Sequence, residues 1–187
     1  MGAHQEGSGH DYWPYYCEEN IWHLCGAPEA QGDERLVALI SNPTREVAVW
    51  HQKAARLPDE PVIWDYHVVL LVRHGNQWRV WDLDSVLGVP LDVEQWLVAS
   101  FAGTAQLPES FAPYFRILPA DQYRQELATD RRHMRRPDGT WVSPPPPWPT
   151  IGEGSNLAQL IDMGQAHQGS VVDLDGLWSR LRPRVNP

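Results

Sequence analysis

Apolar and polar positions are patterned most clearly between residues 61 and 85, in PVIWDYHVVLLVRHGNQWRVWDLDS. Two runs rich in Val, Leu, Trp and Tyr flank HGNQ, the mark of two antiparallel strands joined by a tight turn. RLVALIS (35–41) and EVAVWHQ (46–52), on either side of the turn residues NPT, read as strands, and so does YFRILPA (114–120). Helical spacing takes over elsewhere. Cys17, Ile21, Leu24 and Cys25 fall on one face of a helix that starts at Cys17 and is stopped by Gly26 and Pro28. DVEQWLVASF (92–101) predicts a helix capped by Asp92, QYRQELATDRR one capped by Asp121, and NLAQLIDM one capped by Ser155. DLDGLWSRL predicts a last helix, whereas SPPPPWP (143–149) fits only an extended loop. Hairpin-linked strands followed by mixed helices predict an α+β fold, an antiparallel sheet packed with helices.

Length adds that 187 residues suit one domain, here 12–187, preceded by a mobile tail over 1–11 rich in Gly, His and acid. The formal net charge of −9 argues against nucleic acid and against an anionic membrane surface as partner. No apolar run approaches the roughly 20 residues that span a bilayer. The opening MGAHQEGSGH has no apolar core of a signal peptide, so a cytoplasmic protein is expected. In that reducing compartment Cys17 and Cys25 are expected to stay thiols. On a helix they stand about 12 Å apart along the axis, too far for a disulfide. Neither H-E-x-x-H nor C-x-x-C occurs, so no metal site is expected.

The hairpin carries the candidate chemistry. If its turn centres on Gly75-Asn76, Asp65, His67 and Val69 share one strand face, and His67 stands opposite Asp84 with Asp82 diagonal to it. A carboxylate beside an imidazole fixes its tautomer and stabilises the imidazolium, but the spacing does not choose between the two aspartates. The natural nucleophile is Cys17 at a helix start, where the helix end and a nearby imidazolium favour a thiolate and Glu18 and Glu19 oppose it. Cys25, mid-face, reads as core. Glu18 and Glu19 most simply complement the helix dipole, and DRRHMRR (130–136) reads as a solvated charged face.

YCEENIWHLC, PVIWDYHVVLL, VWDLDS, DRRHM and PPPPWP occur together, in an order that resembles the protein N-terminal glutamine amidohydrolase family and its W-D-Y-H-V signature. The resemblance runs from about Tyr16 to about Ile161. It implies a papain- or transglutaminase-like cysteine hydrolase fold and a catalytic triad of Cys17, His67 and Asp82, choosing Asp82 over Asp84. It implies hydrolysis of the side-chain amide of an N-terminal glutamine to glutamate and ammonia, through a Cys thioester, without cofactor. Its expected partners are proteins or peptides with N-terminal Gln, acted on by a monomer. Glu18 and Asp65 are candidates for reading the substrate's α-ammonium. The same triad would serve an amidase, transamidase or protease acting on internal Gln or another amide, and a non-catalytic peptide-terminus binding module is the alternative of another class.

Overall fold

The computed structural model describes residues 11–182. The expected mobile tail over 1–11 lies outside them except for Asp11. The chain runs α1 (Cys17–Leu24), β1 (Glu34–Ser41), β2 (Val47–Val49), β3 (Val62–Trp64), β4 (His67–His74), β5 (Gln77–Trp81), β6 (Leu91–Asp92) and α2 (Val93–Phe101). It continues with β7 (Tyr114–Pro119), α3 (Ala120–Glu126), α4 (Leu157–Leu160), β8 (Ser170–Val172) and α5 (Leu174–Leu181). Six strands form one sheet in the order β6-β5-β4-β1-β7-β8, and every pairing in it is antiparallel. β2 and β3 pair separately.

The fold is α+β, as the sequence pattern predicts. The hairpin turn is Gly75-Asn76, with Arg73 opposite Trp78 and Gly75 at φ 57°, a conformation glycine adopts without Cβ strain. Side chains of the central strands alternate between two apolar layers. Val37, Leu39, Val68, Leu70 and Val72 pack with Ile21 and Leu24 of α1 and Tyr123 of α3. Leu36, Ala38, Ile40, Val69 and Leu71 pack with Trp96, Leu97 and Phe101 of α2 and Leu177 and Leu181 of α5. β1 and β4 are therefore covered on both faces, which is why they read as nearly unbroken apolar runs. Each fully buried Leu, Ile or Val there stabilises the fold by about 1.5–3 kcal/mol. A helix that starts with the candidate nucleophile and packs on an antiparallel sheet is compatible with the papain-like architecture.

Several local expectations change. The runs flanking NPT are strands as expected, but the second is cut to Val47–Val49, and they lie in different sheets, β1 pairing with β4 and β7 and β2 with β3. Asp92 caps α2 as expected, accepting from the backbone of Glu94 and Gln95. Asp121 caps nothing; its carboxylate takes Arg35, and α3 begins at Ala120 and ends at Glu126, well before Arg132. Ser155 does not cap the four-residue α4, whereas Asp173 caps α5. β6 and β8, at the two edges, are too short to leave a period in the sequence. Among the described residues no helix is long and apolar enough to cross a membrane.

Candidate active site

β4 begins at His67 and β5 ends at Trp81, and between those ends the ladder is broken. Its last pair is Leu70 with Trp81; beyond it the chain turns back, Ser85 N–H donating to Asp82 O at 3.1 Å and Asp84 N–H to Asp82 Oδ1 at 3.2 Å. The turn brings Asp82, not the nominally opposite Asp84, to the imidazole. His67 Nε2 meets Asp82 Oδ1 at 2.9 Å, with His67 0% and Asp82 1% exposed. Asp82 Oδ2 accepts from Gln52 Nε2 at 3.0 Å and from Trp96 Nε1 at 3.1 Å. Sequence reading passed over Gln52 and Trp96, which hold the carboxylate. Asp84 instead accepts from Tyr12 Oη at 2.7 Å, and burial pushes its carboxyl up.

Burial alone would raise Asp82, but His67 and the donors Trp96 and Gln52 outweigh it and hold the carboxyl below the usual range. An ionised carboxylate only accepts, so His67 Nε2 carries the proton. In the neutral imidazole Nδ1 is then the lone pair, and that atom is buried and without a hydrogen bond. Burial also opposes a charged His67, yet Asp82 raises it above the ordinary histidine value. The indole of Trp64 stacks on the ring, centroids 5.6 Å apart and planes 14° from parallel.

Cys17, 6% exposed, is the first residue of α1. The backbone N–H of Val68, the residue after His67, acts on its sulfur and favours the thiolate, and Glu18 Oε2 lies 4.0 Å from that sulfur. No hydrogen bond joins Cys17 to His67 Nδ1. Against the helix end that favours a thiolate, burial, then Glu18, Asp84 and Asp65, push the thiol well above its ordinary value, and the Val68 N–H offsets only part. The N–H groups of Glu19 and Asn20 are taken by Tyr16 O. Those of Cys17 and Glu18, ahead of them, have no intrahelical acceptor. Cys25 lies in the core at 3% exposure, as expected, and burial pushes its thiol up to about 12.

The two acids after Cys17 are not surface complements to the helix dipole, since both are 0% exposed. Glu18 Oε2 accepts from Tyr66 Oη at 2.8 Å. Its Oε1 makes no hydrogen bond, and His133 Nε2 lies 3.4 Å from it. Burial works against a charged His133, but Glu18 raises it above the ordinary histidine value. Asp65 stands in a bend before β4, so it does not share the β4 face with His67; it is exposed and accepts from the N–H of Tyr66 at 3.0 Å.

The segment 130–136 is not simply a solvated face either. Arg131 is buried and binds Glu19 through Nε to Oε1 and Nη2 to Oε2, both at 2.7 Å. Trp148 Nε1 donates to the same carboxylate at 2.6 Å, and the Trp148 carbonyl accepts from Arg131 at 2.9 Å. The proline-rich loop thus clamps the start of α1, with Ser143 O taking Tyr16 Oη and Pro144 O taking Trp13 Nε1. Removing one partner of a buried pair strands the other charge, at about 3–5 kcal/mol. Arg131→Met should cost that much in urea unfolding; a loss under about 1 kcal/mol would contradict this account of the clamp.

Among the described residues, His67, Asp82 and Asp84 offer three ligand atoms within 4.8 Å of one another. A cation there would compete with the His67–Asp82 bond and with the donors already on Asp82 Oδ2. The donor set is built for a polarised imidazole first.

A family model described as N-terminal glutamine amidase matches residues 12–181. The protein N-terminal glutamine amidohydrolase of Drosophila ananassae is 41% identical over 156 residues, covering 81% of this chain and 76% of that protein. The protein of the same name from Drosophila melanogaster is 41% identical over 158 residues, and that from Drosophila mojavensis 40%, each with the same coverage.

Proposed function

The chain belongs to the N-terminal glutamine amidase family, and on that premise we propose that it hydrolyses the side-chain amide of a glutamine at the N-terminus of a protein or peptide. Cys17 is the nucleophile, His67 the acid and base, and Asp82 the residue that holds His67. One observation carries the assignment: a buried imidazole has one nitrogen fixed by a carboxylate and the other free of hydrogen bonds, and the N–H of the next residue, Val68, acts on the sulfur of the first residue of α1.

The steps balance without a cofactor. Nδ1 of His67 takes the proton of Cys17 as the sulfur attacks the γ-carboxamide carbon, and the carbonyl π electrons move to oxygen. The imidazolium returns the proton to the amide nitrogen, the C–N bond breaks, and ammonia leaves a thioester. Water, deprotonated by the same nitrogen, adds to that carbon; the C–S bond breaks, glutamate leaves and the thiol is restored. The free N–H groups at the start of α1 are the first donors for the oxyanion.

Terminal specificity needs an anion for the α-ammonium. Glu18, with a carboxylate oxygen free of hydrogen bonds, and the exposed Asp65 are our candidates. Both act on Cys17, together with Asp84, so the thiol sits in a negative field that a cationic substrate neutralises. Both cysteines are free, as a reducing cytoplasm keeps them, and residues 12–187 form one catalytic domain that acts as a monomer in this reading.

Ammonia release from a peptide beginning in glutamine tests the proposal. The N-acetylated copy should be inert. Equal release from both would move the protein to the broader class of glutamine or amide hydrolases that the same triad can serve.

A further inference from the structure

Trp64 ends β3, opposite Val47, and is only partly buried as a residue. Its indole nitrogen, however, is buried and has no hydrogen-bond partner, the one such tryptophan among the described residues. The indole N–H groups of Trp13, Trp22, Trp96 and Trp148 each find an oxygen at 2.6–3.1 Å. A buried donor left unpaired is costly and calls for a cause.

Its surroundings supply one. One face of the indole lies on His67, the proposed acid and base. Tyr15 meets the same ring edge-on, centroids 6.1 Å apart; it is 48% exposed, at φ 68°, and stands two residues before Cys17. Trp64 therefore bridges the base and the segment leading to the nucleophile, at a place open to solvent on the Tyr15 side. A left-handed backbone at a bulky residue is uncommon and recurs at functional sites.

We propose that the Trp64 indole N–H donates to the γ-carboxamide oxygen of the terminal glutamine and tightens as that oxygen becomes an oxyanion, completing the donor set begun at the start of α1. Trp64 is then a catalytic residue, and the inference rests on the amidohydrolase reading. The stack on His67 sets the indole plane before substrate arrives, and because the nitrogen is covered in the empty site, the half-exposed Tyr15 has to shift off the ring for the substrate oxygen to reach it. It is unpaired in the empty site because its acceptor is the substrate.

Two variants separate the N–H from the ring. Trp64→Phe keeps an aromatic ring on His67, and replacing Trp64 by benzothienylalanine keeps the bicyclic shape while exchanging N–H for sulfur. On a peptide beginning in glutamine, each should lose about 10²-fold in kcat, the scale of one oxyanion donor, with KM within about threefold. Alkylation of Cys17 by iodoacetamide and the melting temperature should stay at wild-type values for the benzothienyl variant. An active wild type matched within about twofold in kcat by both variants overturns the role of Trp64 alone, as does a loss carried wholly by KM. A wild-type chain that releases no ammonia overturns the amidohydrolase reading and this inference with it.

Discussion

Cys17→Ala should abolish ammonia release from a peptide beginning in glutamine, lowering kcat by about 10⁶-fold, the scale reported when a triad nucleophile is removed. The effect is so large because the sulfur forms the bond that splits one difficult hydrolysis into two easier steps. Nothing else at the site replaces it: the nearest acids, Glu18 and Asp84, are held by Tyr66 and Tyr12. The structural cost should be small. Cys17 sits at the rim of a packed layer at 6% exposure, and losing one sulfur-sized group there costs about 1 kcal/mol. A stable but inactive variant is therefore the expected outcome, read by ammonia release beside a thermal melt. Cys25→Ala is the control, since that thiol lies in the core and should affect stability far more than kcat. More than about 1% of wild-type turnover in Cys17→Ala would remove the nucleophile from this account.

Asp82→Asn should lower kcat by about 10⁴-fold, the loss known for the same exchange in a Ser-His-Asp triad. The reason is specific to the donors here. Asp82 accepts from His67, from Gln52 and Trp96, and from the backbone of Asp84. An asparagine has one acceptor and one donor group. If its oxygen serves Gln52 and Trp96, its NH₂ faces His67 and forces the imidazole proton onto Nδ1. That nitrogen then cannot take the proton of Cys17. If it flips, the NH₂ confronts two N–H donors. Cys17, whose thiol already sits well above its ordinary value, then lacks a base. Steady-state kinetics together with the pH dependence of Cys17 alkylation reads both effects. A loss below about tenfold would mean that Asp82 does not set the tautomer.

The strands and helices with long periods were legible because both faces of the central sheet are filled: β1, β4, β7, α1 and α2 are each marked by continuous or alternating apolar residues. The Gly75-Asn76 turn even fixed the register at Arg73 and Trp78. That register could not be carried to the site, because β5 ends at Trp81 and the following turn, which no period marks, swings Asp82 under His67. Asp65 failed as a face-mate of His67 for the same reason, since strand alternation stops at a bend. The burial of Glu18 and Glu19 was illegible locally. Their partners Tyr66, Arg131 and Trp148 come from far along the chain, and two acids in a first helical turn look ordinary without them. The helix end and the imidazolium that favour a Cys17 thiolate are visible in the sequence, whereas the desolvation that opposes it is not.

The most direct measurement pairs two peptides of one composition, the first beginning in glutamine and the second with that glutamine moved inside. Each is incubated with the wild-type chain and followed by ammonia release and by the mass gain of about 1 Da that turns an amide into an acid. The account predicts conversion of the first peptide only, with one ammonia released per peptide converted. Conversion of the internal glutamine at a comparable rate, or of neither, would contradict it.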